Sequence, residues 1–123
     1  MALVTTSPEG ERPAYKAHPL WGRAIALTRE AYRLSNAMRA RDASTALTLR
    51  RAAVSVPAHV ASALSATGSR RAEAALAARG ALAEVARQAR RDDSPAARSL
   101  ESAAAELDAS VLFDFAGEDG SFS

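Results

Sequence analysis

The sequence predicts an all-α protein, an up-down-up-down four-helix bundle. Three observations carry that expectation. Alanine supplies 32 of the 123 residues; it is the strongest helix former, while the β-branched residues that favour strands are scarce. Four stretches repeat their apolar residues at alternating steps of three and four, the period of one helix face. The breaks between these stretches are short and carry turn and capping residues, as in bundles whose neighbours run antiparallel.

Residues 1–17 contain Pro8, Gly10 and Pro13 and show no period, so they are expected to form a loose arm. From His18 the pattern changes. Leu20, Ala24, Leu27, Ala31, Leu34 and Met38 mark a first helix to about Ala40, with Pro19 in its first turn and Trp21, Ile25 and Tyr32 flanking the stripe. Asp42 or Ser44 can cap a second helix reaching about Ala66. Its stripe, Leu49, Ala53, Val56, Val60 and Ala63, runs straight through Pro57. A proline inside a helix lacks an N–H and presses its ring on the carbonyl four residues back, here Ala53, at a cost of about 3 kcal/mol. The Ser55 hydroxyl can turn onto the preceding backbone, and neighbouring helices can pack the bend. Pro57 could instead open a new helix; the unbroken stripe favours one bent helix.

Thr67-Gly68-Ser69 ends that helix, with Gly68 as a left-handed cap and Ser69 as the next N-cap. The third helix, about residues 70–91, carries Ala75, Ala78, Leu82, Val85 and Ala89. Gly80 costs it about 1 kcal/mol relative to alanine, which suggests a close helix contact. Ser94 and Pro95 start the fourth helix as N-cap and first residue, and Ala97, Leu100, Ala104, Leu107 and Val111 form its stripe. The domain plan is a bundle over 18–116, followed by an acidic, flexible tail over 117–123. Either Phe113 or Phe115 is expected to dock the end of the fourth helix.

Charge is segregated along the chain. Residues 12–91 hold a balance of +11 and residues 92–123 one of −7, within an overall +2. Fifteen of the 16 bases are arginine, the side chain best suited to bidentate phosphate contacts. The candidate nucleic-acid-binding residues are Arg29, Arg33, Arg50, Arg51, Arg70, Arg71, Arg87, Arg90 and Arg91. Arg50 and Arg51 lie about 100° apart on a helix, so they cannot both face the core. Arg79 is expected to serve the bundle, paired with Glu73 or Glu84. An alanine-lined core buries little apolar area, which favours self-association.

Several classes of chemistry find no support. There is no cysteine, hence no disulfide or thiolate site. His18 and His59 have no partner at metal-ligand spacing, Ser55 has no base beside it, and phosphate-binding glycine patterns are missing. The expectation is a non-enzyme with no metal and no cofactor, and with His59 as a packing residue near the bend. No stretch reads as a signal peptide and no apolar run suits a membrane span, so a cytoplasmic location and no membrane partner are expected.

Two further segments are distinctive together. Arg50-Arg51-Ala52-Ala53-Val54-Ser55-Val56-Pro57 lies in the second helix, and Ala78-Arg79-Gly80-Ala81-Leu82-Ala83-Glu84-Val85 in the third. With Leu20-Trp21-Gly22-Arg23-Ala24 and Glu73, they resemble the bacterial four-helix-bundle family. That family includes the ribosomal RNA intervening-sequence proteins and the accessory variability protein of diversity-generating retroelements. After Pro57, Ala58-His59-Val60-Ala61-Ser62-Ala63 departs from the family's Ala-Asn-Ile-Ala-Glu-Gly. The resemblance implies a ring-like homopentamer and, for the retroelement members, a basic surface that binds nucleic acid and a reverse transcriptase.

The expected function is therefore that of a non-enzymatic homo-oligomer, a pentamer under the resemblance, which binds RNA or DNA electrostatically and with little sequence preference. The rival is a structural adaptor without a nucleic-acid ligand, whose arginines answer acids such as Glu101, Glu106 and Asp108. Solvent-facing, unpaired arginines favour the first; arginines paired with fourth-helix acids favour the second.

Overall fold

The computed structural model describes residues 14–119. Most of the expected arm, residues 1–13, and the end of the expected tail, residues 120–123, lie outside the described residues. A 3-10 turn at Ala14–Ala17 leads into α1 (Pro19–Met38), α2 (Ala43–Ser65), α3 (Gly68–Ala89) and α4 (Pro95–Asp119), with no strand among the described residues. α4 thus continues past residue 116.

Each helix packs along the next, and α4 returns to α1. Side-chain bonds fix the directions. Arg50 reaches Ser35 while Thr28 reaches Ala53, so α1 and α2 are antiparallel. Arg71 reaches Ala63 and Arg91 reaches Thr45 across α2 and α3. Arg79 and Arg90 reach Asp108 and Glu101 across α3 and α4. All four stripes read from the sequence are buried, and Ala46 and Phe115 join them. The α1–α4 seam is the more open one: shallow hollows follow it from Arg23 and Ser110 to Arg41 and Ser94, lined by small residues such as Ala26, Ala37, Ser99 and Ala103.

Pro57 sits buried inside an uninterrupted α2. Without its N–H, the Ala53 carbonyl lacks the usual donor. Thr28 of α1 stands in: its hydroxyl lies 3.1 Å from that carbonyl and 2.9 Å from the carbonyl of Ala24 on its own helix. The Ser55 hydroxyl donates to the Ala52 carbonyl at 2.7 Å. The single Thr28 proton is shared between the two carbonyls, so it offsets part of the proline's local cost, while the Ser55 bond tightens the turn before it.

The helix ends follow the sequence with two differences. Asp42 accepts from the Thr45 N–H at 3.0 Å and caps α2, and Ser94 accepts from the Ala97 N–H at 3.1 Å and caps α4. His18 caps α1, its Nδ1 accepting from the Leu20 N–H at 3.1 Å. At the start of α3 the N-cap is Thr67 rather than Ser69, and its side chain makes no capping bond; Gly68, at φ +61°, takes the left-handed step. The second difference is Gly80. It faces outward, and a Cβ built there would meet nothing within 4 Å, so no close helix contact within the protomer requires it.

Candidate interaction surface

The nine candidate arginines divide by what they touch. Five are engaged inside the protomer. Arg50 is half-buried, donates to the Ser35 hydroxyl at 2.8 Å and to Asn36 Oδ1 at 2.7 Å, and lies 4.7 Å from the Tyr32 ring. It thereby satisfies Ser35, one of the two buried polar residues among the described residues. Arg71 donates to the Ala63 carbonyl at 2.9 Å, filling a helix-end acceptor of α2, and packs over Phe115. Arg87 pairs with Glu84 one turn back. Arg90 pairs with Glu101 of α4 at 2.8 Å. Arg91 donates to the Thr45 hydroxyl at 3.1 Å, beside the Asp42 cap. The remaining four, Arg29, Arg33, Arg51 and Arg70, are exposed and make no hydrogen bond or ion pair among the described residues.

Two of those four share one surface. The Thr28–Ala53 and Arg50–Ser35 bonds set residues 28–36 of α1 beside residues 50–53 of α2, which brings Arg29 beside Arg51 on the side of the helices away from the core, by the 100° step per residue. Arg33 lies on the other flank of α1 and borders the α1–α4 hollow with Ala96 and Ser99. Arg70 stands apart, at the opposite end of α2's length and the start of α3. The surface is also apolar: Tyr32 is 37 % exposed, Leu47 49 % and Val54 50 %. From Pro19 to Ser65 the chain has seven arginines against two acids, whereas residues 68–116 have seven against eight. Folding thus turns a charge gradient along the chain into a basic α1–α2 side and a near-neutral α3–α4 side.

The acids sort in the same way. Asp108 pairs with Arg79 at 2.8 Å, so Arg79 does serve the bundle, but through α4 rather than through Glu73 or Glu84. This bond holds the Arg79 guanidinium above its ordinary value. At the loop end, Arg41 pairs with Asp92, and Asp92 accepts from the Ser94 hydroxyl at 2.6 Å. Hydrogen bonds from Ser94 and Arg41 keep the Asp92 carboxyl below the usual range, and bonds from Thr45 do the same for Asp42. Gln88 and Arg87 lower Glu84. Glu106 and Asp114 are exposed and make no ion pair among the described residues. Of the two terminal aromatics, Phe115 docks at 7 % exposure and Phe113 stands out at 81 %.

Among the described residues no three His, Asp or Glu side chains gather as a metal-binding group. His59 is half-buried on α2, two residues after Pro57. The hollow bordered by Tyr15, His18, Arg71 and Phe115, about 360 Å³, opens widely to solvent. Among the described residues no helix is long and apolar enough to cross a membrane.

Sequence reasoning spread its candidate arginines over three helices and could not separate the exposed ones from those engaged within the protomer, such as Arg71, Arg87, Arg90 and Arg91. It also missed Thr28, His18 and the exposed Leu47 and Val54. Their signal was present in part: Leu47 and Val54 sit seven residues apart, off the core stripe. Comparison of the chain with family models, curated proteins and solved structures finds no significant match.

Proposed function

We propose that the protein is a non-enzymatic interaction module that works as a homo-oligomer, five-membered if the resemblance of its second and third helices holds. One observation carries this: the α1–α2 outer face mixes Tyr32, Leu47 and Val54 with Arg29 and Arg51, which have no ion pair among the described residues. Aromatic, aliphatic and arginine side chains in one patch suit a protein partner, where apolar burial supplies affinity and arginine supplies orientation. The pairing of Arg79 and Arg90 with acids of α4 supports the adaptor role in the same sense.

A second reading rests on Arg29, Arg33 and Arg51. Their exposure without an ion pair among the described residues, with the seven arginines between Pro19 and Ser65, favours weakly sequence-specific binding of RNA or DNA, or of a reverse transcriptase carrying it. Light-scattering mass and the binding of a labelled oligonucleotide across a salt series separate the two. The adaptor predicts an oligomer with little oligonucleotide binding at moderate salt. Tight binding that falls steeply with salt supports the second reading, and a monomer at every concentration removes the first.

A further inference from the structure

We propose that the α1–α2 face is the docking surface for the outer stripe of α4 from a second copy of this chain, so that copies join head to tail. This rests on the homo-oligomer reading and names its contact.

Two exposed stripes on different sides of the protomer match in spacing and oppose in charge. On α2, Leu47, Arg51, Val54 and Ala58 recur at steps of 4, 3 and 4. On α4, Ser102, Glu106, Ala109 and Phe113 recur at the same steps. All eight are exposed, and each stripe holds one charge that is unpaired among the described residues, Arg51 and Glu106. Glu106 borders a shallow hollow with Arg23, whose guanidinium donates to Ser110 rather than to it. The neighbouring charges extend the match, with Arg29 beside one stripe and Asp114 beside the other.

Charge decides the partner. Pairing either stripe with its own copy would bring two Arg51 or two Glu106 side chains, one helix step apart, into one small contact, and like charges across an interface are disfavoured. Pairing one with the other neutralises both. Run antiparallel, the stripes seat Phe113 on Leu47 and set Glu106 one helix step from Arg51, while Ala58 and Ala109 let two helix backbones approach at ordinary packing distance. Because the two stripes are different surfaces of one protomer, the contact is heterologous, and repetition gives a ring when the rotation closes.

The test uses the full chain and sedimentation velocity across a dilution series, with circular dichroism to show that helicity is kept. Phe113→Ser, Arg51→Glu and Glu106→Arg should each raise the dissociation constant roughly tenfold or more. The double variant Arg51→Glu with Glu106→Arg should regain wild-type assembly. Leu76→Ser, at an exposed apolar site on α3, should leave assembly unchanged. An oligomer indifferent to the three single variants, a double variant no better than either single, or dissociation by Leu76→Ser overturns the contact while leaving the oligomer standing. A wild-type monomer at every concentration overturns both.

Discussion

Replacing Thr28 with valine keeps the shape of the side chain and removes its hydroxyl. In the folded protein that hydroxyl faces the Ala53 carbonyl at 3.1 Å, in the place of the backbone donor that Pro57 lacks. Ala53 is fully buried, so water does not reach it freely. Leaving a buried acceptor unsatisfied costs about 1–3 kcal/mol, and Thr28→Val should destabilise the chain by that amount. Pro57→Ala restores an N–H four residues beyond Ala53. The gain in helix propensity is about 3 kcal/mol, offset by roughly 1–2 kcal/mol for the buried ring carbons and the space they leave. In that background Thr28→Val should cost no more than about 0.5 kcal/mol, because residue 57 now supplies the donor. The two sites should therefore couple by about 1 kcal/mol or more, as groups that share a partner do. Urea unfolding of the four chains at one fixed protein concentration measures this cycle. Effects that add within about 0.5 kcal/mol would refute the view that Thr28 compensates for the proline.

Gly80→Ala should stabilise the protein by about 1 kcal/mol, since the added methyl meets open space and alanine is the better helix former; a loss of stability in thermal unfolding would show an unseen constraint there. Leu82→Ala, at a site 1 % exposed, should cost about 2–5 kcal/mol in urea unfolding, and a cost under 1 kcal/mol would mean the core is looser than the packing implies. Asp42, Asp92 and Glu84 are held below their ordinary values of 3.8, 3.8 and 4.5. Lowered carboxylates stabilise the fold fully above those ordinary values and lose that contribution as pH falls through the folded ones. The melting temperature should thus be insensitive to these groups between pH 7 and about 5 and drop below about pH 4, with a smaller drop in Asp92→Asn; a melting temperature that rises on acidification would contradict the assignment.

The stripe residues were legible because a 3-4 step admits only one buried face per helix, and every stripe residue from Leu20 to Val111 is inside. Asp42 and Ser94 were legible as caps because each precedes an apolar period and has a short polar oxygen. Pro57 was legible as a helix interior residue from the stripe around it, but its partner Thr28 was not, since nothing local ties a threonine on α1 to a carbonyl on α2. The arginines show the same limit. Composition marks a basic region, yet whether Arg90 meets Glu101 or solvent depends on helix register across a loop. Gly80 misled for the opposite reason: a helical glycine often marks close approach, and here it faces outward. Leu47 and Val54 were passed over because they lie off the core stripe, which is what makes them available to a partner.

Hydroxyl-radical footprinting across a dilution series bears most directly on the docking of α4 against the α1–α2 face. Tyr32, Leu47, Val54 and Phe113 should be oxidised in dilute protein and become protected together as concentration rises, while Leu76 stays reactive throughout. Protection of Leu76 in place of these four, or no change at any of them while mass increases, would contradict it.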